Sequence, residues 1–394
     1  MTPAPPATAE ELCEAFARAP ALTMGLEEEL MLLDPTTLDL VPRAGEVLER
    51  VDGDPAFKLE MPASQLEIVT PPRATVGEAI GDLESGRRRL LEAAGDLVRP
   101  AAAGAHPFAA PHGELNAGER YALMVDEYGD VASRQLVCAL QVHVAVGDPD
   151  RALAVYNAVR GLLPEIAALA ASAPFHSGRD TGLASVRPTI SGMLPRQGVP
   201  PPIASWDAFA NELGWGAEAG AVPEPRLWWW ELRPNPAFGT LEVRVPDAQA
   251  TIADAAGVAA FVHALVAWLA ERHAAGEALP VIPTWRIEEN RWSAFRRGVE
   301  GTLADLEKGR RELTRERLRA LLEELEPVAE RLRCRTELGE ARRLVEENGA
   351  LAQRRVAGDG GPHAVAEWLC RRFGDLEAPT ERSGGSVSNP GRGV

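Results

Sequence analysis

Residues 23–33, TMGLEEELMLL, place three consecutive glutamates inside an apolar run. A run of this length and composition reads as a strand, and a strand sends alternate side chains to opposite faces. Glu27 and Glu29 then share one face with Thr23 and Gly25, while Glu28 shares the other with Leu26 and Leu30. Carboxylates two residues apart lie about 6.5–7 Å apart along a strand. Left bare they repel each other, whereas beside divalent cations they become ligands. The chain therefore needs a sheet with one apolar face and one face that tolerates concentrated negative charge.

The same parity holds in four further segments. In SQLEIVT, Gln65 and Glu67 share a face, and in LQVHVAV, Gln141 and His143 do. In GTLEVRV, Thr240, Glu242 and Arg244 stand opposite Leu241, Val243 and Val245, and in WELRP, Glu231 and Arg233 lie together. Antiparallel strands often keep one wet face, so a plain solvated sheet is the simplest alternative. Glutamates, one histidine and several arginines on that face point instead to a site for cations and polyphosphate. Carboxylate oxygens with a single imidazole suit Mg²⁺ or Mn²⁺ better than zinc or iron. No glycine-rich phosphate loop and no H-E-x-x-H pair occurs in the sequence.

Composition narrows the partners. The 394 residues carry a formal charge of −17, which argues against non-specific binding to nucleic acid or anionic membrane. The four cysteines, Cys13, Cys138, Cys334 and Cys370, are scattered without metal-ligand spacing. They fit a reducing, cytoplasmic setting. No signal peptide and no uninterrupted apolar run of 18 residues is present.

Strands are expected near 22–33, 57–60, 64–70, 138–147 and 239–246. Helices are expected near 9–18, 74–98, 150–172, 252–274 and over much of 297–355. Strands not strictly alternated with helices favour an antiparallel α+β architecture over a doubly wound one. Residues 1–21 read as a leader with a short helix, 22–285, which carry the strand runs, as a core, and 286–379 as a helical part packed on it. Residues 380–394 read as a disordered tail. Glu28, facing away from the carboxylate row, reads as a salt-bridge partner. Cys138 reads as core, His106 and His112 as structural or entrance residues, and LWWW (227–230) as core or a subunit contact.

Six motifs occur in order: GLEEELMLLDPTTLDLVP, EMPASQLEIVTPP, LQVHVAVGDPD, SAPFHSGRDTGLASVRP, PRQGVPP and ELRPNPAFGTLEVRVPD. Together they closely resemble the type 2 glutamate–cysteine ligase family, also called carboxylate–amine ligases, over about residues 22–285. The resemblance implies a curved antiparallel sheet forming a funnel flanked by helices, like the catalytic domain of glutamine synthetase. It implies ATP, Mg²⁺ (or Mn²⁺) and a γ-glutamyl donor. Carried over residue by residue, it makes Glu27, Glu29, Glu60, Glu67, His143 and Glu242 metal ligands. It sets Arg233 at the ATP γ-phosphate, Arg187 at a substrate carboxylate or phosphate, and Arg244 at either. Ala145 departs from the glycine usual in the family, and its methyl group is expected to crowd the funnel slightly.

The function expected is ATP-dependent joining of L-glutamate to L-cysteine through an acyl phosphate, releasing ADP and phosphate. Two alternatives stand beside it: the same chemistry with another amine, and a catalytically silent nucleotide-binding protein. The partners expected are small molecules and, as an allowance, a second copy in a homodimer. Neither nucleic acid nor membrane is expected.

Overall fold

The computed structural model describes residues 7–222, 227–358 and 360–376. The strand alternation resolves into one seven-stranded sheet. Its strands are β1 (Met24–Leu33), β2 (Phe57–Leu59), β3 (Gln65–Val69), β4 (Arg99–Ala101), β5 (Leu140–Ala145), β6 (Leu232–Asn235) and β7 (Thr240–Val243). Their order is β2-β3-β1-β5-β7-β6, with β4 also on β1. Every pairing is antiparallel. Along β1, Leu26, Glu28 and Leu30 are buried, while Glu27 and Glu29 are half-buried.

Register sets which side chains meet. Glu29 stands opposite Glu67 on β3, and Gly25 stands opposite His143 on β5. His143 in turn faces Glu242 on β7, which faces Arg233 on β6. A slip of one residue would turn every one of these groups to the other face.

Helices cover the apolar face. Helix Val76–Ala94 begins at a capping box between Thr75 and Glu78. It lies so close to β3 that a Cβ at Gly86 would come within 2.7 Å of Ile68. Helix Ile252–Ala274 is capped by the Thr251 hydroxyl and buries Val258, Phe261, Val262, Leu265, Val266 and Leu269. Those six side chains alone contribute on the order of 10 kcal/mol of transfer free energy before conformational entropy is subtracted. By length and composition this helix could cross a membrane, a capacity that counting uninterrupted apolar runs does not detect. Here it is apolar all round because it is the central helix of the core.

Leu318, Leu322 and Leu325 of helix Thr314–Arg331, and Leu338 and Leu344 of helix Arg335–Glu346, belong to the same core cluster, which extends from Leu12 to Phe373. Three sequence expectations need correction. The helical reading of 297–355 is interrupted by a hairpin, Thr302–Ala304 with Arg311–Leu313, whose turn is tied by Asp305 to the backbone N–H groups of Glu307 and Lys308. The stretch 150–172 is two helices, Pro149–Arg160 and Leu163–Ala170, bent by 60°. Pro164, with no N–H to donate back, suits only the first turn of the second one. Helix Glu119–Tyr128 was not anticipated: it fully buries none of its residues, and only Tyr121, Met124 and Tyr128, at helical spacing, are half-buried. Residues 1–6 of the expected leader and the whole expected tail lie outside the described residues.

Candidate active site

The polar face of the sheet gathers its ionisable groups into two clusters. In one, a ligand atom each from Glu27, His143 and Glu242 lie within 4.8 Å of one another; in the other, Glu29, Glu60 and Glu67 do the same. All six residues expected as metal ligands are therefore brought together, three by three. Five come from strand alternation. Glu60 lies just past the end of β2, where no alternation rule reaches.

In the first cluster, Glu242 is fully buried and held from three sides. It accepts hydrogen bonds from Arg233 Nε at 2.6 Å, Asn235 Nδ2 at 2.8 Å and Arg244 Nη1 at 2.5 Å. Burial alone would raise its pKa, but the charges of Arg244, His143 and Arg233 outweigh that and hold it well below the usual carboxylate range. Glu27 is also lowered: burial opposes ionisation, and the adjacent His143 overcomes it. The His143 ring contacts Thr240 Oγ1 through Nδ1 at 3.0 Å. Its Nε2 lies 3.3 Å from Glu27 and 3.9 Å from Glu242. That nitrogen is buried with no hydrogen-bond partner among the described residues. A ring fixed at one nitrogen, with the other aimed between two carboxylates, is the geometry of a metal-ligating histidine.

The second cluster has the opposite electrostatics. Glu29 accepts from the Ala139 N–H at 2.6 Å and from Gln141 Nε2 at 2.8 Å. Burial nevertheless pushes its pKa up, only partly offset by Arg187 and Arg244. Glu60 is pushed up to about 8 by burial and the Glu29 charge. Glu67 is driven well above its ordinary value by burial and the Glu60 and Glu27 charges. The Glu29 charge raises both neighbours and the Glu60 charge raises Glu67, and the arginines and Lys58 around them offset this only in part. The donor set is oxygen-rich with one imidazole and fits hard divalent cations such as Mg²⁺ or Mn²⁺.

The arginines are placed less uniformly than the sequence suggests. Arg233 and Arg244 both bind Glu242, and Arg244 also bonds Gln141. Arg187 sits behind the end of β7, donating to the carbonyls of Arg244 at 2.7 Å and Val245 at 3.1 Å, with Asp247 at 3.7 Å. Its charge still reaches Glu29. Asn235, which supports Glu242, was not singled out from sequence; Thr240, placed on this face by its parity, was given no role there and supports His143. Extending the parity of Glu231 and Arg233 by two residues would have found Asn235.

Other residues resolve as expected. Cys138 is buried in the core, and burial together with the Glu29 charge drives its thiol pKa well up, away from nucleophile chemistry. His106 accepts from the backbone of Ala109 and meets the Leu38 carbonyl, a structural arrangement in which burial lowers its pKa to about 4. Trp228 packs on Trp230 and Phe209 in the core.

The family model for glutamate–cysteine ligase family 2 matches residues 23–364. A Rubrobacter xylanophilus protein provisionally named glutamate–cysteine ligase 2-3 is 38% identical over 363 residues, 90% of this chain and 98% of its own length. A similarly named Thermobifida fusca protein is 34% identical over 380 residues, 94% of this chain and 95% of its own. Among solved structures, the Francisella tularensis glutamate–cysteine ligase in complex with AMP superposes with a TM-score of 0.66 at 13% identity, covering 90% of this chain and 88% of that one. A bifunctional glutathione synthetase from Pasteurella multocida gives 0.63 at 16% identity, covering 93% of this chain and 54% of its own. The fold is thus the antiparallel α+β fold of these enzymes, and the class is that of the carboxylate–amine ligases. The chain belongs to glutamate–cysteine ligase family 2.

Proposed function

We propose that the protein is an ATP-dependent ligase that joins the side-chain carboxylate of L-glutamate to the amine of L-cysteine, forming γ-glutamylcysteine, ADP and phosphate. The observation that carries this reading is the pair of three-ligand clusters side by side on one sheet face, flanked by Arg233 and Arg244. A carboxylate and an amine do not condense in neutral water, so the carboxylate must be activated. Phosphoryl transfer from ATP supplies that activation: the donor carboxylate takes the γ-phosphoryl group, ADP leaves, and the amine then displaces phosphate from the acyl carbon as it loses a proton. Charge stabilisation and positioning suffice for such a transfer, which agrees with a site built from Glu and Arg.

Glu27, His143 and Glu242 would hold one divalent cation and Glu29, Glu60 and Glu67 another. Bound there, such cations would neutralise phosphate charge and orient its oxygens. Glu242 fixes the guanidinium groups of Arg233 and Arg244 at the site, where their positive charge serves the phosphoryl oxygens. Arg187 braces the Arg244 backbone and adds positive potential for an anionic substrate. Residues 22–285 form the catalytic core in this reading, and the later helices hold its central helix in place.

Incubation with ATP, Mg²⁺, L-glutamate and L-cysteine tests the proposal. ADP, phosphate and a product with the mass of γ-glutamylcysteine are expected. AMP and pyrophosphate would refute the acyl phosphate, and ADP formed only with another amine would reassign the acceptor.

A further inference from the structure

The helix Glu119–Tyr128 is a helix that its own burial does not explain. None of its residues is buried, and Leu123 and Val125 are 63% and 46% exposed. It is held instead at its two ends. Near its start, the Tyr121 hydroxyl donates to the Leu59 carbonyl at 3.1 Å, at the end of β2. At its finish, the Tyr128 hydroxyl accepts from Arg196 at 3.0 Å, and its ring meets Trp229 edge-on at 5.5 Å, three residues before β6. Strands β2 and β6 are the two opposite ends of the sheet order. Five strand spacings make roughly 24 Å on a flat sheet, while ten helical residues span about 15 Å. A helix with a tyrosine foot at each end thus links the end of β2 to the segment that leads into β6, the two edges of the sheet. Tyr121 and Tyr128 are seven residues apart, two turns, and so project from the same side of the helix.

Both ends of the helix carry a glycine at positive φ, Gly118 at 137° and Gly129 at 54°. These are conformations that a side chain would strain. Just before Gly118, the chain is sewn to the segment bearing Glu60. Asn116 donates through Nδ2 to the Glu60 carbonyl at 2.7 Å and through its backbone N–H to the Met61 carbonyl at 3.0 Å. The first turn of the helix therefore starts beside the second carboxylate cluster, and that turn contains Arg120.

Arg120 is exposed. No ion pair or side-chain hydrogen bond holds it among the described residues; its guanidinium lies 5.7 Å from the Tyr121 ring. Its neighbour Tyr121 is bonded to the Leu59 carbonyl, one residue before Glu60, so Arg120 stands next to the second cluster, where its charge is felt at Glu60. A cation in the first turn opposes the helix dipole, so helix stability does not account for it. We propose that Glu119–Tyr128 is a lid over the carboxylate face, and that Arg120 is its anion-binding group, closing on an anionic oxygen of the substrate bound there. The inference rests on the ligase reading above. The anionic oxygen belongs either to the nucleotide polyphosphate or to the donor amino acid, and both offer the planar or tetrahedral oxygens that a guanidinium grips.

The test uses the full chain and two ligand arms, a non-hydrolysable ATP analogue with Mg²⁺ and L-glutamate. Amide hydrogen exchange and calorimetric affinity are read in both. Exchange across 119–128 is expected to slow in the arm whose ligand Arg120 grips. Arg120→Gln is expected to weaken that ligand roughly 10- to 100-fold, abolish the slowing and leave the other ligand unaffected, with Arg120→Lys intermediate. An unchanged melting temperature shows that the variants are folded. Exchange unaffected by either ligand, or wild-type affinity for both in Arg120→Gln, overturns the lid while the ligase stands. If the wild-type protein binds neither ligand, the ligase reading fails and the lid fails with it.

Discussion

Arg87 grips Glu28 with two hydrogen bonds, Nε to Oε2 at 2.8 Å and Nη2 to Oε1 at 2.5 Å, and both side chains are fully shielded from solvent. The guanidinium also donates to the carbonyls of Gln249 and Ala250 and lies 4.4 Å from the Phe373 ring. The middle glutamate of the triplet thus ties β1 to helix Val76–Ala94, to the approach to the core helix and to the last helix.

Glu28→Gln leaves the Arg87 charge buried without a counter-charge. Loss of about 3–5 kcal/mol of stability is expected, read as a lower urea midpoint. Turnover per folded molecule is expected to change less than about tenfold, because Glu28 does not reach the site. Replacing both partners, Glu28→Leu with Arg87→Met, is expected to recover part of the loss. A Glu28→Gln protein as stable as wild type would mean that the pair does not hold these elements together.

The flanking glutamates are expected to behave in the opposite way. Glu27→Gln and Glu29→Gln each remove a charged oxygen from one cluster, so turnover is expected to fall on the order of 100-fold or more. The rise in melting temperature on adding Mg²⁺ to wild type is expected to shrink in both and persist in Glu28→Gln. Without metal the two part company. Glu29→Gln is expected to hold or gain stability, because burial raises the pKa of that carboxylate. Glu27→Gln is expected to lose some, because His143 stabilises its ionised form. An unchanged Mg²⁺ increment in both variants would reduce the row to a solvated strand face.

Metal-free stability is expected to depend on pH through the second cluster. Glu60 titrates at about 8, and Glu67 is raised as well, against an ordinary value of 4.5. A raised carboxylate pKa means that the native state binds the proton more tightly than the unfolded state. Stability therefore falls as pH rises from about 4.5 toward 8. Melting temperature in chelator is expected to decline over that window, and saturating Mg²⁺ is expected to flatten the decline. Glu242 and Glu27, both lowered, act the other way and lose their stabilisation only on acidification. A flat metal-free profile between pH 5 and 8 would contradict the crowding of Glu29, Glu60 and Glu67.

Arg233 and Arg187 are expected to fail differently. Arg233 stands beside Glu242 on the site face, so Arg233→Ala is expected to lower kcat chiefly, on the order of 100-fold. Arg187 is engaged with the carbonyls of Arg244 and Val245. Arg187→Ala is expected to raise KM for the amino-acid donor and, by leaving those carbonyls unpaired, to cost about 1–3 kcal/mol of stability. Equal losses in kcat and KM for both variants would remove the basis for separate roles.

Local rules determined much of this protein. A period of two residues separated Glu27 and Glu29 from Glu28 and placed Gln141, His143, Glu242, Arg233 and Arg244 on one face, because strand geometry fixes the parity of a side chain wherever the strand ends up. Capping residues and apolar content placed helices such as Ile252–Ala274. Only the tertiary structure decided how six ligands divide into two groups of three, since that follows from register between strands distant in the sequence. It also decided the place of Glu60, which lies beyond the strand that parity governs, and the partner of Glu28, which arrives from a helix 59 residues downstream. The helix Glu119–Tyr128 was missed because its signal is slight: three half-buried residues, Tyr121, Met124 and Tyr128, at helical spacing and no fully buried one.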